Sequence, residues 1–253
     1  MKKLIIANWK MNPTTAKEAA RIMTALAKRG ALFSRVELVV CPPFVFFPEV
    51  REKVDRIHGF LGAQNISDAD SGLHTGEISA RMVRSAGASH VILGHSERRA
   101  MGETDEIIHE KVIQALRVGL KPIVAIGESE RSDDAHRVLD SQMRAILSRV
   151  PRNKARSIIF AYEPRWAISK GIHDGAGFPD LPESAHEKMI YMRRVLADLY
   201  GHLFARNARI IYGGSVRAKN IRSFLIGDPS FDGALVGGAS VDPQEFLKLV
   251  QAL

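Results

Sequence analysis

The sequence contains little cysteine and no long apolar run. Cys41 is the only cysteine among 253 residues, which excludes an intrachain disulfide and suits the reducing cytoplasm, where we expect the protein to be located. No apolar stretch approaches the roughly 20 residues that a membrane-spanning helix needs. Asn8 and Lys10 interrupt the apolar stretch near the N-terminus, which predicts a first strand and not a signal peptide. We therefore expect a soluble protein with no membrane partner.

Signatures of nucleic-acid binding are also absent. The net charge of +8 and the pI of about 9.7 suit an anionic partner, but lysines and arginines alternate with 28 acidic residues along the chain. The sequence has no basic run, no zinc-finger spacing and no aromatic RNA-binding motif, so nucleic acid is not an expected partner. We expect the positive charge to attract an anionic metabolite. The alternative is that the charged residues only form a solvated surface.

Short β-rich runs alternate with longer helical patterns along the whole chain. Several runs, such as VILG and IIFAY, are almost continuously apolar, as expected for strands that are buried on both faces of a parallel sheet. Segments such as EAARIMTALAKR and SAHEKMIYMRRVLADLYGHLF repeat apolar residues at three- and four-residue steps, which is typical of helices. The predicted strands are Leu4–Lys10, Val36–Cys41, Gly59–Asn65, His90–His95, Pro122–Gly127, Ser157–Glu163, Arg209–Gly213 and Gly233–Gly237.

Eight strands with helices between them leave two arrangements open, a closed (β/α)8 barrel and an open doubly wound sheet. A G-x-G-x-x-G turn after the first strand would favour the open sheet, but this strand runs into Asn8-Trp9-Lys10. A length of about 250 residues is typical of the barrel, and no Pro/Ser-rich linker or low-complexity segment divides the chain. The sequence therefore predicts a single α/β domain, residues 1–253, with a closed (β/α)8 barrel.

Chemically reactive side chains follow the ends of five predicted strands. In such a barrel the carboxyl ends of the strands share one rim, and this rim carries the active site. A lysine, an imidazole, a carboxylate and two glycine-rich turns are expected to meet there. These residues are Asn8 and Lys10 after strand 1, His95 and Glu97 after strand 4, Glu163 after strand 6, Gly213, Gly214 and Ser215 after strand 7, and Gly237 and Gly238 after strand 8.

Five segments of the chain resemble those of the triosephosphate isomerase family, namely ANWKMN, GHSERR, AYEPRWAI, YGGSV and LVGGAS. The match covers nearly the whole chain in the right order, and it includes AQN and HTGEIS between strands 3 and 4. The resemblance implies a TIM barrel and an aldose–ketose isomerase that needs no cofactor and no metal. The substrates implied are dihydroxyacetone phosphate and D-glyceraldehyde 3-phosphate, which the family interconverts in glycolysis and gluconeogenesis.

The resemblance also implies a role for each reactive residue. Glu163 matches the catalytic base, which removes a proton from the carbon beside a carbonyl. His95 matches the electrophile, a neutral imidazole that exchanges a proton with the enediolate oxygens. Lys10 matches the lysine that stabilises the phosphate and the charge that forms on oxygen. Asn8 is expected to hold Lys10 and to donate to a substrate oxygen, while Glu97 pairs with Lys10.

The phosphate of the substrate is expected to lie against the glycine-rich turns, where backbone N–H groups can approach an anion closely. Pro164–Gly171 resembles the closing lid of the family, with Trp166 as an anchor near its base and Ser169 as a further N–H donor to the phosphate. His74-Thr75-Gly76-Glu77 resembles the loop by which the family forms an isologous homodimer. The phosphate-binding turns are Gly213, Gly214 and Ser215, and Gly237 and Gly238.

The chain departs from the family pattern around the lid. The lid tip reads Ser169-Lys170-Gly171, where the family usually has Gly-Thr-Gly. The segment IHDGAGFPDL follows and contains an insertion of roughly six residues, a length within the range of ordinary connections. Ala125 stands in strand 5 where cysteine is common, and little effect is expected there. Arg165 follows Glu163-Pro164 where an apolar residue is common, and it is expected either to face solvent or to add positive charge to the rim.

Other functions stay open on the sequence alone. The altered lid permits a related substrate, such as a four-carbon tetrulose phosphate. A catalytically idle paralog that binds phosphate ligands or a partner protein is a second alternative, against which the retention of Lys10, His95 and Glu163 argues. A metal-dependent enzyme is disfavoured, because His95 and Glu163 are the only candidate ligands at the strand ends and nothing puts both on one metal.

Overall fold

The protein forms the closed barrel that the strand pattern predicts. The computed structural model describes residues 2–131, 134–168 and 180–253, and within these ranges eight parallel strands close in sequence order, with the last paired to the first. Ser169, the rest of the predicted lid tip and the insertion up to Pro179 lie outside the described residues. The strands are β1 (Lys3–Asn8), β2 (Val36–Cys41), β3 (Phe60–Ala63), β4 (His90–Leu93), β5 (Lys121–Ile126), β6 (Ile159–Tyr162), β7 (Arg209–Tyr212) and β8 (Gly233–Val236).

Helices surround this barrel and connect its strands. Thr15 caps the first helix by accepting a hydrogen bond from the Glu18 N–H, and Asp242 caps the last in the same way through Gln244 and Glu245. In the described part of the chain, no helix is both long and apolar enough to cross a membrane. The helices are α1 (Ala16–Ala27), α2 (Phe47–Arg56), α3 (Ala80–Ser85), α4 (Ser96–Ala100), α5 (Asp105–Arg117), α6 (Ala135–Ile146), α7 (Arg152–Ala155), α8 (Pro182–Tyr200), α9 (His202–Asn207), α10 (Ile221–Leu225) and α11 (Pro243–Gln251).

β2 has the predicted bounds, and the other seven strands differ from the sequence-based prediction by one or two residues at an end. Two differences follow from the backbone conformation. The first strand ends at Asn8 and not at Lys10, because Lys10 has a φ of 53° and turns the chain out of the sheet. The helical segment predicted over residues 184–204 is divided into α8 and α9 at Gly201, whose φ is 91°. Such a left-handed φ is open to glycine at little cost and interrupts a helix.

The apolar residues of the strands face two separate layers. Along β1, Leu4 and Ile6 point into the barrel, while Ile5 and Ala7 pack against the surrounding helices. This alternation explains why the strands are apolar on both faces. The seam between β1 and β8 is tight, because a Cβ on Gly233 would lie 1.9 Å from the carbonyl oxygen of Leu4. The interior layer consists of Leu4, Ile6, Val39, Cys41, Ile92, Ile123, Ile159, Ala161, Ile211 and Leu235.

A buried histidine lies at the start of β4. His90 is fully buried beside the ring of Phe60, and its Nδ1 shares a hydrogen bond of 2.8 Å with the Ser89 hydroxyl. Its Nε2 has no hydrogen-bond partner among the described residues. Burial, helped by the positive charges of Lys121 and Arg209, lowers the pKa of His90 to about 3. The ring is therefore neutral in the folded protein at neutral pH.

We expect His90 to make the fold sensitive to acid. In the unfolded chain a histidine has a pKa of about 6.5, so between about pH 6.5 and 3 the unfolded state binds a proton that the folded state does not. The free energy of unfolding should then fall by about 1.4 kcal/mol per pH unit in this window. Urea unfolding at pH 6.5 and 5 should show a loss about 2 kcal/mol larger for the wild type than for His90→Gln. A replacement of the exposed His202 by glutamine serves as the control. If all three proteins lose the same free energy of unfolding between pH 6.5 and 5, His90 is not the cause of the acid sensitivity.

Candidate active site

A cavity of about 260 Å³ opens at the carboxyl ends of the strands. It brings together residues from β1, β4, β7 and β8 that the sequence places far apart. Ile168 and Leu235 add apolar surface to its wall, and Arg217 lies at its rim. Glu163 is 2% exposed and lies behind the wall. The predicted site residues that line the cavity are Asn8, Lys10, His95, Gly213, Gly214, Ser215, Gly237 and Gly238.

Lys10 is fixed at both its backbone and its ammonium group. Its N–H donates to Asn8 Oδ1 at 3.1 Å, and its carbonyl oxygen accepts from Gln64 Nε2 at 2.8 Å. Its Nζ lies 2.7 Å from Glu97 Oε1 in a salt bridge. These contacts hold Lys10 in its left-handed backbone conformation and keep its ammonium group in the wall of the cavity. Gln64 was missed by the sequence analysis, although it lies in the AQN segment.

His95 stands at the N-terminus of α4, and its ring is nearly buried. Its Nδ1 accepts a hydrogen bond from the Glu97 N–H at 3.2 Å. Since Nδ1 acts as an acceptor, the proton of a neutral ring resides on Nε2. This Nε2 lies 3.3 Å from Glu163 Oε1, so the imidazole and the carboxylate are adjacent.

Glu163 follows β6 directly and is held by Ser96. Its Oε1 accepts from the Ser96 hydroxyl at 2.6 Å and from the Ser96 N–H at 3.2 Å. Its Oε2 has no hydrogen-bond partner among the described residues. The sequence analysis quoted Ser96 within GHSERR but gave it no role. Because Ser96 holds the carboxylate behind the cavity wall, Glu163 must rotate before it can reach a ligand.

The segment after Glu163 is anchored to the loop that follows β5. Trp166 Nε1 donates to Glu128 Oε1 at 2.9 Å, and the Arg165 N–H donates to the Glu128 carbonyl oxygen at 3.0 Å. The guanidinium of Arg131 lies over the Trp166 ring, 5.1 Å from its centroid. The side chain of Arg165 is exposed. Neither Glu128 nor Arg131 was singled out from the sequence.

Burial keeps the hydroxyl groups behind this segment protonated. It raises the pKa of Tyr162, with a further rise from the negative charges of Glu128 and Asp180, and it likewise raises the pKa of Tyr212. Tyr162 is therefore a hydrogen-bond donor, and its hydroxyl donates to Glu128 Oε1 at 3.0 Å. Burial also raises the pKa of Asp180, which stands just before α8. The hydroxyl groups of Tyr162 and Tyr212 next to the site are therefore uncharged.

The two glycine-rich turns line the cavity close to the reactive side chains, since a Cβ on Gly237 would lie 3.3 Å from Lys10 Cε and one on Gly213 would lie 3.1 Å from Glu163 Cβ. In the β7 turn, the Gly213 N–H donates to the Tyr162 carbonyl oxygen at 2.7 Å, and the Ser215 N–H donates to Ala167 at 3.1 Å. In the β8 turn, the Ser240 hydroxyl donates to the Gly237 carbonyl oxygen at 2.7 Å. The Ser215 N–H is therefore already used, and an anion can receive it only if the contact with Ala167 opens.

A second cavity of about 520 Å³ adjoins the first and shares Asn8, Lys10 and His95 with it. Two apolar residues of its lining, Met11 and Met101, are strongly exposed, and so is Leu73, which precedes His74 in the chain. The residues of the predicted dimer loop, His74-Thr75-Gly76-Glu77, are all exposed. Across the residues for which coordinates are described, no group of three or more His, Cys, Asp or Glu could hold a metal ion.

The sequence is similar to known triosephosphate isomerases over its full length. The family model described as triosephosphate isomerase matches residues 3–253. A curated triosephosphate isomerase from Symbiobacterium thermophilum is 40% identical, with 98% of this chain and 96% of the relative covered. One from Rubrobacter xylanophilus is 41% identical with the same coverage, and one from Alkaliphilus oremlandii is 40% identical with 99% of both chains covered.

Proposed function

We propose, from the premise that this chain belongs to the triosephosphate isomerase family, that Glu163, His95 and Lys10 carry its catalysis. Family membership assigns the reaction: the enzyme interconverts dihydroxyacetone phosphate and D-glyceraldehyde 3-phosphate. One observation supports the residue roles above the others. The imidazole of His95 and the ammonium group of Lys10 line the same cavity as the glycine turns, and the carboxylate of Glu163 lies 3.3 Å from the His95 ring.

Glu163 is the proposed base. Its carboxylate takes the proton from C1 of dihydroxyacetone phosphate, beside the carbonyl at C2, and leaves an enediolate. Return of the proton to C2 gives the aldehyde. The resting contact with Ser96 must break first, so substrate binding includes a rotation of the Glu163 side chain into the cavity. A carboxylate that moves into a site closed to water is a stronger base there than in solution.

His95 is the proposed electrophile, and Lys10 is the proposed counter-charge. The proton on His95 Nε2 passes to the C2 carbonyl oxygen as negative charge develops there and stays as the C2 hydroxyl, and Nε2 then regains a proton from the C1 hydroxyl as the aldehyde forms. The ring can do this because the Glu97 N–H occupies Nδ1. The ammonium group of Lys10 faces the same end of the cavity and stabilises the enediolate and the phosphate. Asn8 keeps the backbone of Lys10 in place.

The phosphate is proposed to bind at the turns after β7 and β8. Backbone N–H groups of Gly214, Gly237 and Gly238 are suited to this because glycine has no side chain of its own to keep an anion away from its N–H group. The turns after the last two strands are the usual phosphate site of such barrels. Ser169 is proposed to add a further N–H from the lid.

Turnover of D-glyceraldehyde 3-phosphate by the purified protein tests the proposed function. A coupled assay that reports dihydroxyacetone phosphate should show rapid turnover without added metal or cofactor. The same preparation with a four-carbon tetrulose phosphate tests the alternative substrate, which the names of the relatives do not favour. A folded protein that binds inorganic phosphate but turns over neither sugar would support the idle paralog and contradict the proposal.

Replacement of Ser96 by alanine should have a modest effect on rate. Ser96 holds Glu163 only in the resting position, and this contact is absent when the base reaches the substrate. We expect kcat/KM of Ser96→Ala to stay within about ten-fold of the wild type, because the hydrogen bond, which contributes about 1.5–3 kcal/mol when the acceptor is charged, is made in the resting state only. Steady-state kinetics at pH 7.5 measures this. A loss as large as that of Glu163→Gln would mean that Ser96 takes part in the proton transfer itself.

The enzyme is proposed to be a homodimer in which the Thr75 loop of each subunit enters the second cavity of the other. The exposed apolar side chains of Met11 and Met101 in the lining of one cavity support this, because apolar surface that several residues expose together is typical of interfaces. Sedimentation velocity should find a dimer for the wild type and a monomer of much lower activity for Thr75→Arg. Thr24→Arg, on the exposed face of α1, is the control. A monomeric wild type with full activity would contradict the proposal.

The cytoplasm is the proposed location, and glycolysis and gluconeogenesis are the proposed pathways. Both substrates carry a charged phosphate group that does not cross lipid unaided, so an enzyme that uses them has to be located where they are made. Fractionation of the cells that produce the protein, followed by activity measurement in each fraction, tests the location. Activity confined to a membrane or secreted fraction would contradict it.

A further inference from the structure

The indole ring of Trp166 is held from two directions by one loop. Its Nε1 donates to Glu128 Oε1 at 2.9 Å, and the guanidinium of Arg131 lies over its face at 5.1 Å from the centroid. Both residues belong to the loop that follows β5. The ring edge therefore meets a carboxylate while its electron-rich face meets a cation, the arrangement that the charge distribution of an indole favours.

This loop also contacts the backbone next to the proposed base. The Arg165 N–H donates to the Glu128 carbonyl oxygen at 3.0 Å, and the Glu163 N–H donates to Ile126 at 2.8 Å. The chain segments that follow β5 and β6 approach each other closely, because a Cβ on Gly127 would lie 2.2 Å from the Glu163 carbonyl oxygen. Among the described residues, Trp166 is the only side chain of the segment Pro164–Ile168 that makes both a hydrogen bond and a ring contact with the loop 127–131.

Glu128 alone fixes the Trp166 ring less firmly than Glu128 and Arg131 do together. Its Oε1 is shared between the Trp166 N–H and the Tyr162 hydroxyl, and one hydrogen bond to a ring edge leaves rotation about that bond free. A cation over the face opposes this rotation. Trp166 is half-buried and Arg131 is exposed, so the cation–π contact adds to the positioning of the ring and not to the core of the fold.

We propose that Arg131 is a positioning residue for the isomerase reaction, which by stacking on Trp166 holds the backbone that carries Glu163. The proposal rests on the proposed role of Glu163 as the base. Arg131 touches neither the cavity wall nor the phosphate turns. Its removal should therefore reduce the fraction of enzyme in which the base is correctly aligned, and should leave phosphate binding by Lys10 and the β8 turn as it was.

Three variants test this proposal. Arg131→Ala removes the cation, Arg131→Lys keeps the charge with a weaker stacking surface, and Arg137→Ala removes an exposed arginine of α6 that pairs with Asp134. For Arg131→Ala we expect kcat to fall about two- to five-fold, the range that an exposed cation–π contact gives. The inhibition constant of inorganic phosphate and the thermal midpoint should stay within error of the wild type. Arg131→Lys should recover part of the loss, and Arg137→Ala should show none.

Tryptophan fluorescence supplies a readout that does not depend on catalysis. Trp9 is fully buried, so quenching by the uncharged quencher acrylamide reports mainly Trp166, and it should increase in Arg131→Ala but not in Arg137→Ala. An unchanged kcat in Arg131→Ala, or an inhibition constant for phosphate that rises as much as kcat falls, would overturn the proposal. If Glu163→Gln retains full activity, the base assignment fails instead, and the quenching experiment still tests whether Arg131 holds the ring.

Discussion

Replacement of Glu163 by glutamine is expected to lower kcat by about 10²- to 10⁴-fold, the usual contribution of a general base. Glutamine has nearly the same size as glutamate and can still accept a hydrogen bond from Ser96, so the fold and the resting contact are retained. It cannot take a proton from carbon at neutral pH. The effect should fall on kcat, and KM should change little because Glu163 does not line the cavity in the resting state.

Two measurements make the Glu163 experiment decisive. The coupled assay gives kcat and KM, and proton exchange at C1 of dihydroxyacetone phosphate in D₂O reports the removal of the proton directly. Both rates should fall together in Glu163→Gln. Glu110→Gln, at an exposed position of α5, is the matched control and should be unaffected. Exchange that continues at the wild-type rate in Glu163→Gln would show that another group is the base.

Replacement of Lys10 by methionine is expected to cost about 10²- to 10³-fold in kcat, as the loss of one group that stabilises a developing oxyanion does. Methionine keeps much of the aliphatic stem and removes the charge. The fold should not suffer, because the partner Glu97 is more than half exposed and can be solvated when left alone. A large kinetic effect with a small effect on stability separates a catalytic charge from a structural ion pair.

The Lys10 variant should differ from the Glu163 variant in its binding of anions. Since Lys10 lines the cavity, the inhibition constant of inorganic phosphate should rise in Lys10→Met, whereas it should be nearly unchanged in Glu163→Gln. Lys17→Met, at an exposed position of α1, controls for the change in net charge. A Lys10→Met enzyme with wild-type kcat and phosphate affinity would remove Lys10 from the proposed mechanism.

Local sequence signals predicted the barrel well because each of them acts over a few residues. Short β-rich runs marked all eight strands, several of them almost continuously apolar, and Asp242 begins the last helix, where its side chain accepts N–H groups. The errors are also local. Lys10 was assigned to a strand and Gly201 to a helix, but both have a positive φ, which apolar periodicity does not reveal.

The number of strands, their places in the chain and the positions of Lys10, His95 and Glu163 just after strand ends were determined by the sequence itself, since strand patterns and motif positions are properties of short segments. The contact between Ser96 and Glu163 spans 67 positions, and those of Gln64 with Lys10 and of Arg131 with Trp166 also join separate loops. Such contacts depend on the register at which the strands pair and on the closure of β8 against β1. Only the tertiary structure could decide them, because no local pattern encodes the distance between two side chains on different strands.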